Sequence, residues 1–215
     1  MIIFSLRPII VIPYIKGEII ENTTTPSLFS IGSSLEGAKT GALVQTAWII
    51  FFAALTAAGA QVQIPHEPVP YTLQTFFVLL SAAFLGSRNG SASQFLYLGV
   101  GLIGAPIFSA GGFGAARLFG PTGGYLLSFP IAALLVGFLV RQRQGFVWTL
   151  IAMFLGLVVV FTLGSSYLNL FYLHDFTKAF VGGFLIFSWW DVLKLFSAAA
   201  IYSEFSKRYR RLPAE

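Results

Sequence analysis

From Thr40 to Tyr202 the chain is a run of apolar segments, broken by glycine and proline clusters and seldom by charge. Such segments must be kept out of water. Only 10% of the residues are charged, against about 25% in a soluble domain, too few to cover them. The chain is 16% aromatic, led by 23 Phe. A soluble cytosolic enzyme, a disordered tail and a nucleic-acid-binding domain are excluded. What remains is a polytopic membrane protein. With about 20 apolar residues per span and about 30 once its loop is added, the ceiling is about seven spans in one compact domain.

Residues 1–39 differ from the rest. Met1–Ile15 is apolar but interrupted by Pro8 and Pro13, which makes it too short and too broken for a span. It has no basic region ahead of an apolar stretch and no small-residue cleavage site, so no signal peptide is expected. Glu21–Lys39, rich in Thr, Ser and Gly, reads as a loop. The whole segment is expected to be a poorly ordered or interfacial extension, ahead of a membrane domain over residues 40–211.

Six spans are predicted: Thr40–Ala60, Thr72–Leu85, Ser91–Ile103, Tyr125–Val140, Phe146–Tyr167 and Trp189–Tyr202. The first connection, Gln63 to Pro70, holds three prolines in six residues and cannot be helical. Gly86–Gly90 reads as a loop closing the second span. The third connection is glycine-rich from Gly104 to Gly124, and the fifth runs from Leu168 through Lys178. Several spans fall short of about 20 residues. Short spans with long Gly/Pro connections point to non-helical backbone at membrane depth, tolerated where it lines a cavity.

Basic residues set the orientation. With both ends inside, ten of the 13 Lys and Arg lie inward: Arg7, Lys16, Lys39, Arg88, Arg141, Arg143, Lys207, Arg208, Arg210 and Arg211. Arg117 and Lys178 lie outward, and Lys194 is within the last span. The excess of cytoplasmic Lys and Arg supports N-in and C-in. It also accounts for the net charge of +5 without a nucleic-acid partner. The Pro/Gly-rich connections then face outward, which suits capture of something from outside. With no Cys and only His66 and His174, neither a metal site nor a cofactor is expected.

The residues able to carry chemistry are few. Asp191 and Lys194 interrupt an apolar helix and share one face at i, i+3. Charge in a span costs about 2.5–3.5 kcal/mol on insertion scales and commonly marks a pathway or site. Asp191 offers an acceptor and Lys194 a donor, as a neutral ligand with both kinds of group requires. A self-satisfied pair with Lys194 snorkelling is the bland alternative, and a proton relay the rival use. Gln74, at the start of the second span, is either a ligand contact or a helix–helix hydrogen bond. Arg117 suits a ligand carboxylate, or is a solvated loop charge. Gly120–Tyr125 lacks the Lys-Ser/Thr of a phosphate loop; it reads as a tight turn beside a site, with Tyr125 as a wall. Tyr97, Tyr167, Trp189 and Trp190 are expected in interfacial belts or packing. His66, Glu67, His174 and Asp175 are expected to be solvated. In the first span Ala53/Ala57 and Ala54/Ala58 are small residues four apart, which permit close helix approach.

Taken together, these stretches resemble the BioY family of biotin transporters, the substrate-binding S components of energy-coupling-factor (ECF) transporters. The resemblance covers about Ala53 to Lys194. It rests on Pro68–Thr75 (Pro-Val-Pro-x-Thr-Leu-Gln-Thr), Tyr97–Pro106 with its glycine-rich loop, Gly120–Leu126 (Gly-Pro-Thr-Gly-Gly-Tyr-Leu) and Asp191-x-x-Lys194. It implies a six-helix S component of the cytoplasmic membrane that binds biotin from the outer face. It also implies a transmembrane coupling protein and two ATPases as partners. By the same resemblance, Asp191 and Lys194 contact the biotin head group and Gln74 falls in the matching motif. Ala53/Ala57 or Ala54/Ala58 would dock the coupling protein. The sequence departs from the pattern at Ile64–Pro68 and at Trp189-Trp190 before the aspartate, which bears on the lid. Another vitamin's S component and a stand-alone proton-coupled transporter are the alternatives. An intramembrane enzyme would need paired carboxylates, a His-based metal site or a nucleophile with a base, and no such set lies inside the spans.

Overall fold

The computed structural model describes the backbone of residues 28–184 and 189–208, and the side chains of residues 41–183 and 189–206. The proline-broken apolar segment of residues 1–15, with Arg7, and also Lys16, lies outside them, as do the side chains of Lys39 and of the basic residues from Lys207 onward. The chain divides into two units, residues 1–37 and residues 38–215. The second holds the helical core.

Helix α1 spans Leu28–Gln61. Residues 28–39 are therefore helical rather than the expected loop, and no proline lies between Pro26 and Pro65 to break the helix. A two-residue hairpin follows, β1 (Gln63–Ile64) against β2 (Tyr71–Thr72), with Gln63 opposite Thr72. Then come α2 (Gln74–Leu102), α3 (Gly114–Leu118), α4 (Gly123–Gln142), α5 (Phe146–Leu168), α6 (Phe176–Ala179) and α7 (Trp189–Arg208). Where lipid replaces water every backbone group must be satisfied within the segment, so apolar stretches of this kind become helices. Among the described residues three helices are long and apolar enough to cross a membrane: Gly41–Gln61, Gly123–Gln142 and the stretch Phe146–Leu173.

The predicted loop at Gly86–Gly90 is absent. α2 is helical on both sides of one non-helical residue, Gly86, at φ 79° and ψ −174°. A side chain there would be strained and would also meet the Arg141 guanidinium at 2.5 Å. The two legs fold back on each other: a Cβ on Gly90 would lie 2.8 Å from Ala82 Cα. In a straight helix those residues would be about 12 Å apart. Glycine supplies the positive φ that makes a one-residue reversal possible, so no polar loop is needed.

The fifth connection is also more ordered than expected. One π-helical turn, Asn169–Leu173, extends α5 and ends at His174, in the left-handed region at φ 48°. Asp175 then caps α6 by accepting from the Lys178 amide at 3.1 Å. That amide hydrogen bond is the main reason the Asp175 carboxyl sits below the usual carboxylate range. A second π-helical turn covers Phe180–Phe184.

α4 packs most extensively on α2 and next on α5, while α7 lies against α2 and α5. Small residues on these helices are fully buried, Ala82 on α2 and Ala132 and Ala133 on α4. Gly137 meets the backbone at the reversal, where a Cβ would come within 2.5 Å of the Gly86 carbonyl carbon. Close backbone approach of this kind drives helix association in membranes, where lipid tails are as apolar as leucine. A buried amide ties α1 to α2: Gln94 Nε2 shares its two hydrogens among Ser81 Oγ (3.0 Å), Ser93 Oγ (3.1 Å) and Thr56 Oγ1 (3.3 Å). Thr56 therefore faces inward, which turns Ala54 and Ala58 to the exposed face of α1, while Ala53 is buried and Ala57 half-buried.

Candidate ligand site

At the end of the fold opposite the Gly86 reversal, the starts of α2, α4 and α7 surround a partly open pocket. Val69–Thr72 form one wall and Ser109 with Thr122 another. Leu126, Phe129, Val160 and Phe161 supply an apolar side. Gln74, Thr75, Tyr125, Asp191 and Lys194 complete the lining.

Asp191 lies in the first turn of α7, where the unpaired helical N–H groups favour a carboxylate. Lys194 follows one turn later, and its Nζ donates to Asp191 Oδ1 at 2.6 Å. The side chains are 3% and 5% exposed, so neither charge is snorkelling to an interface. Lys194 also reaches across to the start of α2, donating to the Thr72 carbonyl at 3.0 Å and to Thr75 Oγ1 at 2.8 Å. An ammonium has three donors and no acceptor, and these three contacts account for them.

Gln74 is 4% exposed and is held at both ends of its amide. Thr72 Oγ1 donates to Gln74 Oε1 at 2.8 Å, and Gln74 Nε2 donates to the Tyr97 hydroxyl at 2.5 Å. The Tyr97 hydroxyl in turn donates to the Ile107 carbonyl at 3.4 Å. Tyr97 is thus 1% exposed inside the fold rather than in an interfacial belt. Tyr125 lines the cavity with its ring, which lies against Gly164, while its hydroxyl donates to the Gly183 carbonyl at 2.9 Å.

Arg117 is not among the lining residues. Its Nη2 donates to the carbonyl (3.2 Å) and hydroxyl (2.8 Å) of Ser109, and Ser109 lines the cavity. It is one residue removed from the site because the third connection folds back between Ser109 and Gly112. His66, Glu67 and His174 are exposed, and Asp175 is half-buried at its helix cap. Among the described residues no group of three His, Cys, Asp or Glu could hold a metal.

Sequence reasoning missed Thr72, Thr75 and Ser109 as lining residues, and it placed Tyr97 in an interfacial belt or in packing. The two threonines lie inside Pro68–Thr75 and flank Gln74, a hint in their position but not in their chemistry. The assembled cavity places a buried carboxylate, a paired ammonium and an oriented amide beside an apolar wall. It suits a compact ligand with polar donors and acceptors at one end and apolar surface elsewhere.

Residues 32–211 match the model of the BioY family. The biotin transporter BioY of Thermotoga maritima is 44% identical over 150 residues, covering 70% of this chain and 88% of that protein. A probable biotin transporter BioY of Pyrococcus horikoshii is 39% identical over 153 residues, covering 71% and 90%. A crystal structure described as the S-component for biotin from an ECF-type ABC transporter aligns with TM-score 0.71 at 26% identity, over 76% of this chain and 90% of that one.

Proposed function

The chain belongs to the BioY family, and from that premise we propose that it captures biotin as the S component of an ECF-type transporter. The observation that carries the site is the Asp191–Lys194 pair, buried at 3% and 5% exposure in the cavity lining. Biotin joins a cyclic urea, with two N–H donors and one carbonyl, to an apolar thioether ring and a carboxylate tail. The Asp191 carboxylate accepts from the urea N–H groups. The remaining N–H of the Gln74 amide serves the urea carbonyl, and the ammonium of Lys194 holds the Asp191 carboxylate in place. Phe129, Phe161 and Val160 pack the ring, with Tyr125 as a further wall. Arg117 acts by holding Ser109 at the rim.

The topology follows the same reading. α1, the two legs of α2, α4, α5 and α7 make six spans in the cytoplasmic membrane, N-in and C-in. Arg141 meets the Gly86 reversal, so Arg88, Arg141 and Arg143 gather at the end away from the cavity, which supports an outward-facing site. The partners are a transmembrane coupling protein and two ATPases. The exposed pair Ala54/Ala58, rather than Ala53/Ala57, is the docking face, since a partner helix needs small residues on the open side.

The test is biotin titration of the purified protein and of Asp191→Asn and Lys194→Ala. Both substitutions are expected to weaken binding at least tenfold. Undiminished affinity in both overturns the site.

A further inference from the structure

The hydroxyls of Thr72 and Thr75 stand behind two polar residues of the site, Gln74 and Lys194. Thr72 is bonded to both: its hydroxyl donates to Gln74 Oε1 and its carbonyl accepts from Lys194. Thr75, one turn on, gives its hydroxyl oxygen to the same ammonium. These contacts bridge 119 and 122 residues of sequence and join the start of α2 to the start of α7.

We propose that Thr72 and Thr75 are positioning residues of the site, Thr72 for the Gln74 amide and Thr75 for the Lys194 ammonium. This rests on the reading of the cavity as a biotin site and adds how its polar groups are aimed. A free glutamine amide can turn either end to a ligand. Here Thr72 Oγ1 donates, so Oε1 must face it, and Nε2 must face Tyr97, whose own proton goes to the Ile107 carbonyl. One Nε2 hydrogen is left, so Gln74 meets the ligand as a donor. A donor there and the Asp191 carboxylate opposite in chemistry select a group with a carbonyl beside N–H, the pattern of a urea. The ammonium is fixed similarly. With one hydrogen on Asp191, one on the Thr72 carbonyl and one on the Thr75 hydroxyl, it cannot swing along its flexible stem, and it keeps the carboxylate in one rotamer.

The experiment is a set of double-mutant cycles read by biotin binding to the purified protein. Thr75→Val removes a hydrogen bond to a charge and is expected to weaken binding about tenfold or more; Thr72→Val removes a neutral one and is expected to weaken it about threefold to tenfold. Thr75→Ser and Thr72→Ser keep the hydroxyl and should bind within about twofold of the parent. Thr75→Val should add nothing in a Lys194→Met background, and Thr72→Val nothing in a Gln74→Met background. A general loosening of the fold would add in both. Losses that add fully, or valine variants that bind like the parent, overturn the proposal. The same cycles read by thermal unfolding without ligand test the ties separately: additivity there shows that they do not exist. An unaltered protein that binds no biotin overturns the functional reading, while coupling in unfolding still stands for the ties.

Discussion

Removing Lys194 alone leaves a carboxylate buried without its counter-charge. The Lys194→Met substitution keeps an unbranched side chain of similar volume but deletes the ammonium, with its charge and its hydrogen bonds to Thr72 and Thr75. Asp191 is 3% exposed, so water screens little of the cost. Breaking a buried pair by deleting one partner costs about 3–5 kcal/mol. For a chain of this size a kcal/mol shifts the midpoint by roughly 2–4 °C, so a fall of roughly 6–20 °C is expected. Replacing both charges, as Asp191→Val with Lys194→Met, removes the stranded carboxylate. The Thr72 carbonyl still loses its donor, a residual cost of about 1–3 kcal/mol. The double variant should therefore unfold later than Lys194→Met while binding no biotin. The assay is thermal unfolding in detergent alongside biotin titration on the same preparations. A double variant no more stable than Lys194→Met would mean that the pair holds the fold together. A double variant that still bound biotin would remove the pair from the site. Either result refutes the reasoning that the charges are kept for ligand at the expense of stability.

Ala54→Arg or Ala58→Arg should abolish co-purification with the coupling protein and leave biotin affinity unchanged; Ala53→Arg, being buried, should instead lower the unfolding temperature. Gly164→Ala puts a methyl into the Tyr125 ring and should weaken biotin binding several-fold with the fold intact, as titration and unfolding together would reveal. Gly86→Val combines a positive φ with a clash at Arg141 and should cost at least about 1–3 kcal/mol, measurable as a lower midpoint. Arg117→Ala frees Ser109 and should weaken binding less than Asp191→Asn does, because Arg117 does not line the cavity.

Much of this protein can be read from local pattern. Unbroken apolar length marks α4 and α5 within a residue or two, because in lipid such a segment has almost no option but to close its own hydrogen bonds. The i, i+3 spacing of Asp191 and Lys194 makes their contact a property of one helix turn. Gly86–Gly90 misled because glycine is read as a loop signal, whereas one glycine at positive φ reverses the helix directly. For Arg117 the sequence leaves a ligand carboxylate or solvent as the partner, and it does not show the contact with Ser109.

The sequence by itself determined that the chain lives in a membrane, that it is helical, and that one turn of its last helix carries a charge pair out of place in lipid. Only the tertiary structure decided which alanine pair faces outward, which way Gln74 presents its amide, and that Thr72 and Thr75 hold the site. The physical reason is the same in each case. These spans are apolar on every side, so their sequences do not record how the helices are rotated or which ends meet. That information resides in the packing of small residues and in hydrogen bonds that link positions more than a hundred residues apart.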